Sequence, residues 1–106
     1  MGIQPSFFYL DPKAAIRFLQ RAFGFELTLL IEGEGGDDRV MHSELKLGSD
    51  VVINVGGEWA SWSKSPRSLD GHCTSSARIS IDQDIDAHCA QARAAGAVIA
   101  QEPETQ

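Results

Sequence analysis

The chain has 106 residues, enough for one domain with a modest hydrophobic core and too few for two. Fifteen acidic against nine basic residues give a formal charge of -6 with no basic stripe to offset it, which argues against a nucleic-acid partner. No apolar run approaches the ~20 residues that cross a bilayer, Cys73 and Cys89 lack metal-ligand spacing, and no secretory leader precedes the first strand, so a reduced, cytoplasmic protein with no membrane role is expected.

The first element is an apolar strand over residues 5–10. Asp11 then offers a side-chain cap, and Pro12 suits the first helical turn because the amide it lacks needs no partner there. Gly24 supplies a left-handed residue at the far end, so the signals predict a helix over 12–23. Ala15, Ile16, Leu19 and Phe23, with Phe18 at the margin, form an apolar face suited to covering a sheet. Strand-like runs follow at 25–32, 39–47 and 51–56, separated by a glycine-rich acidic turn over 32–38 and by the tighter Gly48-Ser49-Asp50 turn. Residues 1–57 therefore read as a complete βαβββ module.

After a long connection from Gly56 to Cys73 the same order of signals restarts. It predicts a strand over 76–81, a helix over 84–95 capped by Asp84 and ended by Gly96, and a strand over 97–101. Ile85, Cys89 and Ala92 form the second helix's seam, which allows close approach to a sheet but supplies little apolar area. Residues 74–106 read as the first part of a second module. The expected fold class is α+β: one domain over residues 1–106, built on βαβββ modules, the second truncated at the chain end. A half-module leaves sheet edges and apolar surface open, and a homodimer closes both.

Period-two alternation in the third strand sends Val40, His42, Glu44 and Lys46 to one face and Met41, Ser43, Leu45 and Leu47 to the other. The second set suits packing under a helix, so His42 and Glu44 face the concave side. A histidine beside a carboxylate can act as a general base near neutral pH, which makes His42 and Glu44 the catalytic candidates. The same pair could instead only order a polar wall. His72 reads as a loop surface residue, and His88 as a cap or solvated partner of Asp84 one turn earlier. Tyr9, Trp59 and Trp62 offer flat contact area and polar tips to a small ligand, or else seal the domain edge or a subunit interface. Ser61, Ser63 and Ser65 have no triad context, and Gly33, Gly35 and Gly36 lack the strand-to-helix and lysine context of a phosphate loop.

Several stretches together resemble the glyoxalase/bleomycin-resistance family, the vicinal oxygen chelate superfamily: residues 11–19 with Ala22-Phe23-Gly24-Phe25-Glu26, then residues 40–45, Asp86-Ala87-His88, residues 92–97 and Glu102-Pro103. Within it the resemblance is to the PhnB-like branch of glyoxalase-like proteins. It implies two βαβββ modules whose curved sheets enclose one cavity, often completed by a second subunit. The glycine-arginine segment and the final strand ending that normally follow are absent.

Glyoxalase-type relatives hold a divalent ion with histidines and glutamates. By resemblance those positions fall near Gln4, at Asn54 and near Ser76, with a fourth beyond Gln106. Amides and a hydroxyl without a carboxylate compensate a cation's dehydration poorly, so no cofactor is expected. The reading that results is a metal-independent small-molecule binding protein, with Tyr9, His42, Asn54, Trp59 and Trp62 as ligand contacts. The alternative is a metal-dependent lyase, isomerase or dioxygenase acting on a small oxygenated metabolite, and whether the protein is an enzyme stays open.

Overall fold

Asp11 starts the main helix, α1 (Pro12–Phe23), by accepting a hydrogen bond from the Ala14 amide at 3.1 Å. Gly24 stops it at φ 80°, in the left-handed region, and donates its amide to the Gln20 carbonyl at 3.0 Å. These are the two ends read from sequence. Asp11→Ala leaves the first-turn amides without that acceptor, and we expect a loss of about 1 kcal/mol in the unfolding free energy, read by urea denaturation; an unchanged midpoint would show that the cap contributes nothing.

The computed structural model describes residues 3–32, 40–49, 51–58, 60–80 and 84–103. Four strands form one sheet: β1 (Ser6–Phe8), β2 (Glu26–Glu32), β3 (Val40–Leu47) and β4 (Val51–Gly56). Their spatial order is β1-β4-β3-β2, with β1 parallel to β4 and the other two pairs antiparallel. This is the β-α-β-β-β module expected of the first half, and the fold class is α+β. Of its two turns, residues 33–38 and Asp50 lie outside the described residues, while Gly48 turns the chain at φ 70°.

Helix α1 covers one face of the sheet. Ile16 and Leu19 meet Leu45, Ile53 and Val55, and Phe25, the first residue after the helix stop, joins the same buried cluster. Phe7, Phe18, Phe23 and Leu27 pack around its margin. Alternation along β3 holds: Ser43 and Leu45 are fully buried on the helix side. The Ser43 hydroxyl satisfies itself there by donating to the Val55 carbonyl at 2.5 Å.

Strand β2 departs from simple alternation. Leu27 pairs with Leu45, but Leu29 pairs with Glu44, so Thr28 is one residue too many for its partner strand. Its hydroxyl donates to the Glu44 carbonyl at 3.1 Å. The bulge moves Leu29 and Ile31 from the helix face to the open face, because a one-residue shift inverts a period-two pattern.

Two expected strands are not formed. Residues 76–80 and 97–101 join no ladder, and Ile81 lies outside the described residues. Alternating apolar residues make a strand only where another strand answers their amides and carbonyls. Ile79 alone of the first segment leans on the core, and Val98 is 94% exposed. An ion pair between Arg93 and Glu102 holds the latter segment near α2 (Ile85–Ala94).

Helix α2 begins as expected, with the Asp84 carboxylate accepting from the Asp86 amide at 2.9 Å, and Gly96 follows its end at φ 109°. It docks against α1, where the Gln91 side-chain amide donates to the Arg21 carbonyl at 3.1 Å. Of the expected seam only Ala92 is buried; Cys89 is half-buried and Ile85 is 53% exposed. His88, expected beside Asp84, lays its ring against Phe23 with centroids 5.3 Å apart. No helix among the described residues is long and apolar enough to cross a membrane.

Candidate ligand-binding site

The sheet face opposite α1 carries the polar side chains that alternation excluded from the core. Register sets them in a row across three strands: Ser6 on β1 stands opposite Asn54 on β4, which stands opposite Glu44 on β3. The Asn54 amide nitrogen donates to the Ser6 hydroxyl at 3.4 Å. Its Oδ1 is buried and has no hydrogen-bond partner among the described residues. An acceptor in that state loses water without compensation, which costs about 1–3 kcal/mol, so it needs a reason to be there.

One residue pair further along, His42 Nε2 lies 3.4 Å from Glu44 Oε1. Their side chains are 40% and 32% exposed, so water screens the interaction and both groups remain accessible to a ligand. Beside them lies a hollow of about 390 Å³, whose polar wall is Ser6, His42 and Asn54 and whose apolar wall is Phe8, Ile31 and Trp62. The volume falls in the range that encloses a small organic molecule. Chemically the hollow offers the Ser6 hydroxyl, one imidazole able to donate or accept, and flat apolar contact area.

Trp62 stands at the rim, 66% exposed, with its ring edge-on to Phe8 at 5.8 Å and 82°. The connection that carries it is pinned from within. Glu58 accepts from the Ser65 amide at 2.7 Å and the Ser65 hydroxyl at 2.9 Å, and the Ser63 hydroxyl bridges back to the Ala60 amide and carbonyl at 2.9 and 3.0 Å. Hydrogen bonds from the Ser68 side chain, then the Ser65 backbone and side chain, lower the Glu58 carboxyl from its ordinary 4.5 to about 2. A carboxyl held lower in the folded state stabilises it above its ordinary value and loses that contribution as pH falls through the folded one. Stability should therefore decline between pH 4.5 and about 2, and Glu58→Gln should flatten that part of the profile in acid titrations followed by circular dichroism. An identical profile for the variant would remove Glu58 as the clasp.

The residues named from sequence separate into two groups. His42 and Asn54 share the sheet-face hollow with Trp62, and Glu44 adjoins it through His42. Tyr9 does not join them: it follows β1, donates its amide to the Gly56 carbonyl at 2.9 Å, packs against the core, and lines a neighbouring hollow. Burial pushes its phenol up. His72 lies exposed on that same neighbouring hollow, and Trp59 lies outside the described residues. Ser6, Phe8 and Ile31 were not read as site residues. Alternation from Phe7 would have pointed to Ser6 and Phe8, whereas Ile31 depends on a bulge that no local signal announces.

The metal positions implied by resemblance do not fit an ion. Gln4 and Ser76 are exposed, which leaves Asn54 as the one inward-facing donor of the three. Among the described residues no three histidines, cysteines or carboxylates converge. A neutral amide oxygen alone compensates little of a divalent ion's hydration.

A search of curated protein sequences returns no match. Among solved structures, the crystal structure of TioX from Micromonospora sp. ML1 is similar, with a TM-score of 0.63 and 24% identity over 99% of this chain and 81% of that one. At that identity the likeness concerns the fold. The family model described as the glyoxalase/bleomycin resistance protein/dioxygenase superfamily matches residues 5–106. With nearly its whole length matched, the chain belongs to that superfamily.

Proposed function

We propose that the open sheet face binds a small organic molecule without a metal ion. The observation that carries this reading is a hollow of about 390 Å³ in which Ser6, His42 and Asn54 meet Phe8, Ile31 and Trp62. Ser6 and His42 would take the polar groups of a ligand, the Asn54 side chain would form part of the floor, and Phe8, Ile31 and Trp62 would cover an apolar body. Native mass spectrometry of the protein after incubation with a cell extract tests this. The expected result is a bound organic mass that Asn54→Leu abolishes. Absence of any bound mass, or a mass equally retained by the variant, would overturn the assignment.

The metal-dependent lyase, isomerase or dioxygenase remains the second reading, supported by the chemistries found in the superfamily. It requires stoichiometric metal after gentle purification and a fall in thermal stability on chelation.

We also propose that the working unit is a homodimer. Leu29, Leu30 and Ile31 are exposed on β2 and its bulge turns two of them to the open face, beside a hollow that one chain leaves unroofed. A second copy would cover them. A monodisperse monomer in light scattering at micromolar concentration would end that proposal. Free Cys73 and Cys89 suit a reducing cytoplasm, and the motifs around α1 and β3 favour the PhnB-like branch.

A further inference from the structure

We infer that the hollow beside β1, between that strand and the 60–75 connection, is a second binding site that takes a small aromatic carboxylate. It has a volume of about 530 Å³, more than the sheet-face hollow, and adjoins it at Ser6, Phe8 and Trp62, which line both. Its apolar wall is Phe8, Trp62, Pro66 and Leu69. Trp62 and Leu69 remain largely exposed there, a costly arrangement on a loop tied down by Glu58 and its serine partners. A flat aromatic body stacked against them would bury that area.

The charge on this wall runs against that of the molecule. The chain carries 15 acidic residues and a net charge of -6, yet among the described residues no carboxylate lines the hollow, while Lys64 and His72 both do. Glu58, which acts electrostatically on Lys64, is already hydrogen-bonded by Ser65 and Ser68. The hydroxyls of Tyr9, Thr74 and Ser75 add neutral donors around the same space. One ammonium with surrounding hydroxyls matches a single carboxylate, and the aromatic wall matches the body that carries it. Because Phe8 and Trp62 are shared, an occupant here would set the position of the indole at the rim of the sheet-face hollow.

Benzoate, with benzyl alcohol as its uncharged counterpart, tests the site by amide chemical-shift titration of the labelled protein. Benzoate should move the Lys64, Leu69, Thr74 and Ser75 amides saturably and bind at least tenfold more tightly than benzyl alcohol. Lys64→Gln should remove that tenfold preference without altering the response to benzyl alcohol. Equal binding of the two probes, or no saturable shift at residues 64–75, would overturn the second site. Shifts centred on His42, Asn54 and Ile31 would also overturn it, while leaving the sheet-face reading standing.

Discussion

Truncating Leu45 to alanine should lower the unfolding free energy by about 2–5 kcal/mol. Leu45 is fully buried at the centre of the cluster that joins α1 to the sheet, among Ile16, Leu19, Phe25, Ile53 and Val55. Its loss leaves a hole as well as a lost transfer energy. The hole cannot close easily, because β3 is held by ladders on both sides, with Leu27 and Ile53 in register with Leu45 itself. Against the 5–15 kcal/mol typical of a whole domain, a loss in that range removes a large share of the stability. Urea denaturation should show the midpoint falling with the slope unchanged, whereas Lys46→Ala, one residue along and on the open face, should stay within about 0.5 kcal/mol. A Leu45→Ala midpoint equal to that of Lys46→Ala would mean that the core is not organised around β3.

His42→Ala should behave in the opposite way, weakening retention of the bound molecule about tenfold or more while changing stability by less than about 1 kcal/mol. If the histidine only braced a buried wall, its removal would strand Glu44 and cost about 1–3 kcal/mol. The geometry does not favour bracing: the two side chains are 40% and 32% exposed and 3.4 Å apart, so water can take over either partner's hydrogen bond. Asn54 makes the contrast sharper. Its Oδ1 is already buried without a partner, so Asn54→Leu removes a liability and should leave the fold at least as stable while abolishing ligand contact. Thermal unfolding of both variants beside native mass spectrometry separates the cases. Large destabilisation with undiminished retention would assign these residues to structure.

How far the site was legible depends on how local each cause is. The His42 and Glu44 face followed from period two on a single strand, and Ser43 and Leu45 are buried opposite it as that period requires. The Asp11 and Gly24 ends of α1 rest on atoms three or four residues apart, which sequence spacing encodes directly. Trp62 was recognisable as costly in a loop, but its place on the wall of both hollows depends on Glu58 meeting Ser65 and Ser68 across the connection. Ser63 and Ser65, two of the three serines without triad context, are that loop's internal braces.

The sequence by itself determined the α+β class, the βαβββ order of the first module, both helices with their caps, and the polar face of β3, because each depends on spacing within one element. Tertiary structure decided what depends on partners. Residues 76–80 and 97–101 have strand-like alternation but join no ladder, and α2 docks on α1 rather than on a sheet. The bulge at Thr28 carried Ile31 to the ligand face, Tyr9 went to a different hollow from His42, and Asn54 lost its solvent without gaining a partner. Pairing, register and burial are properties of two segments at once, and no single segment states them.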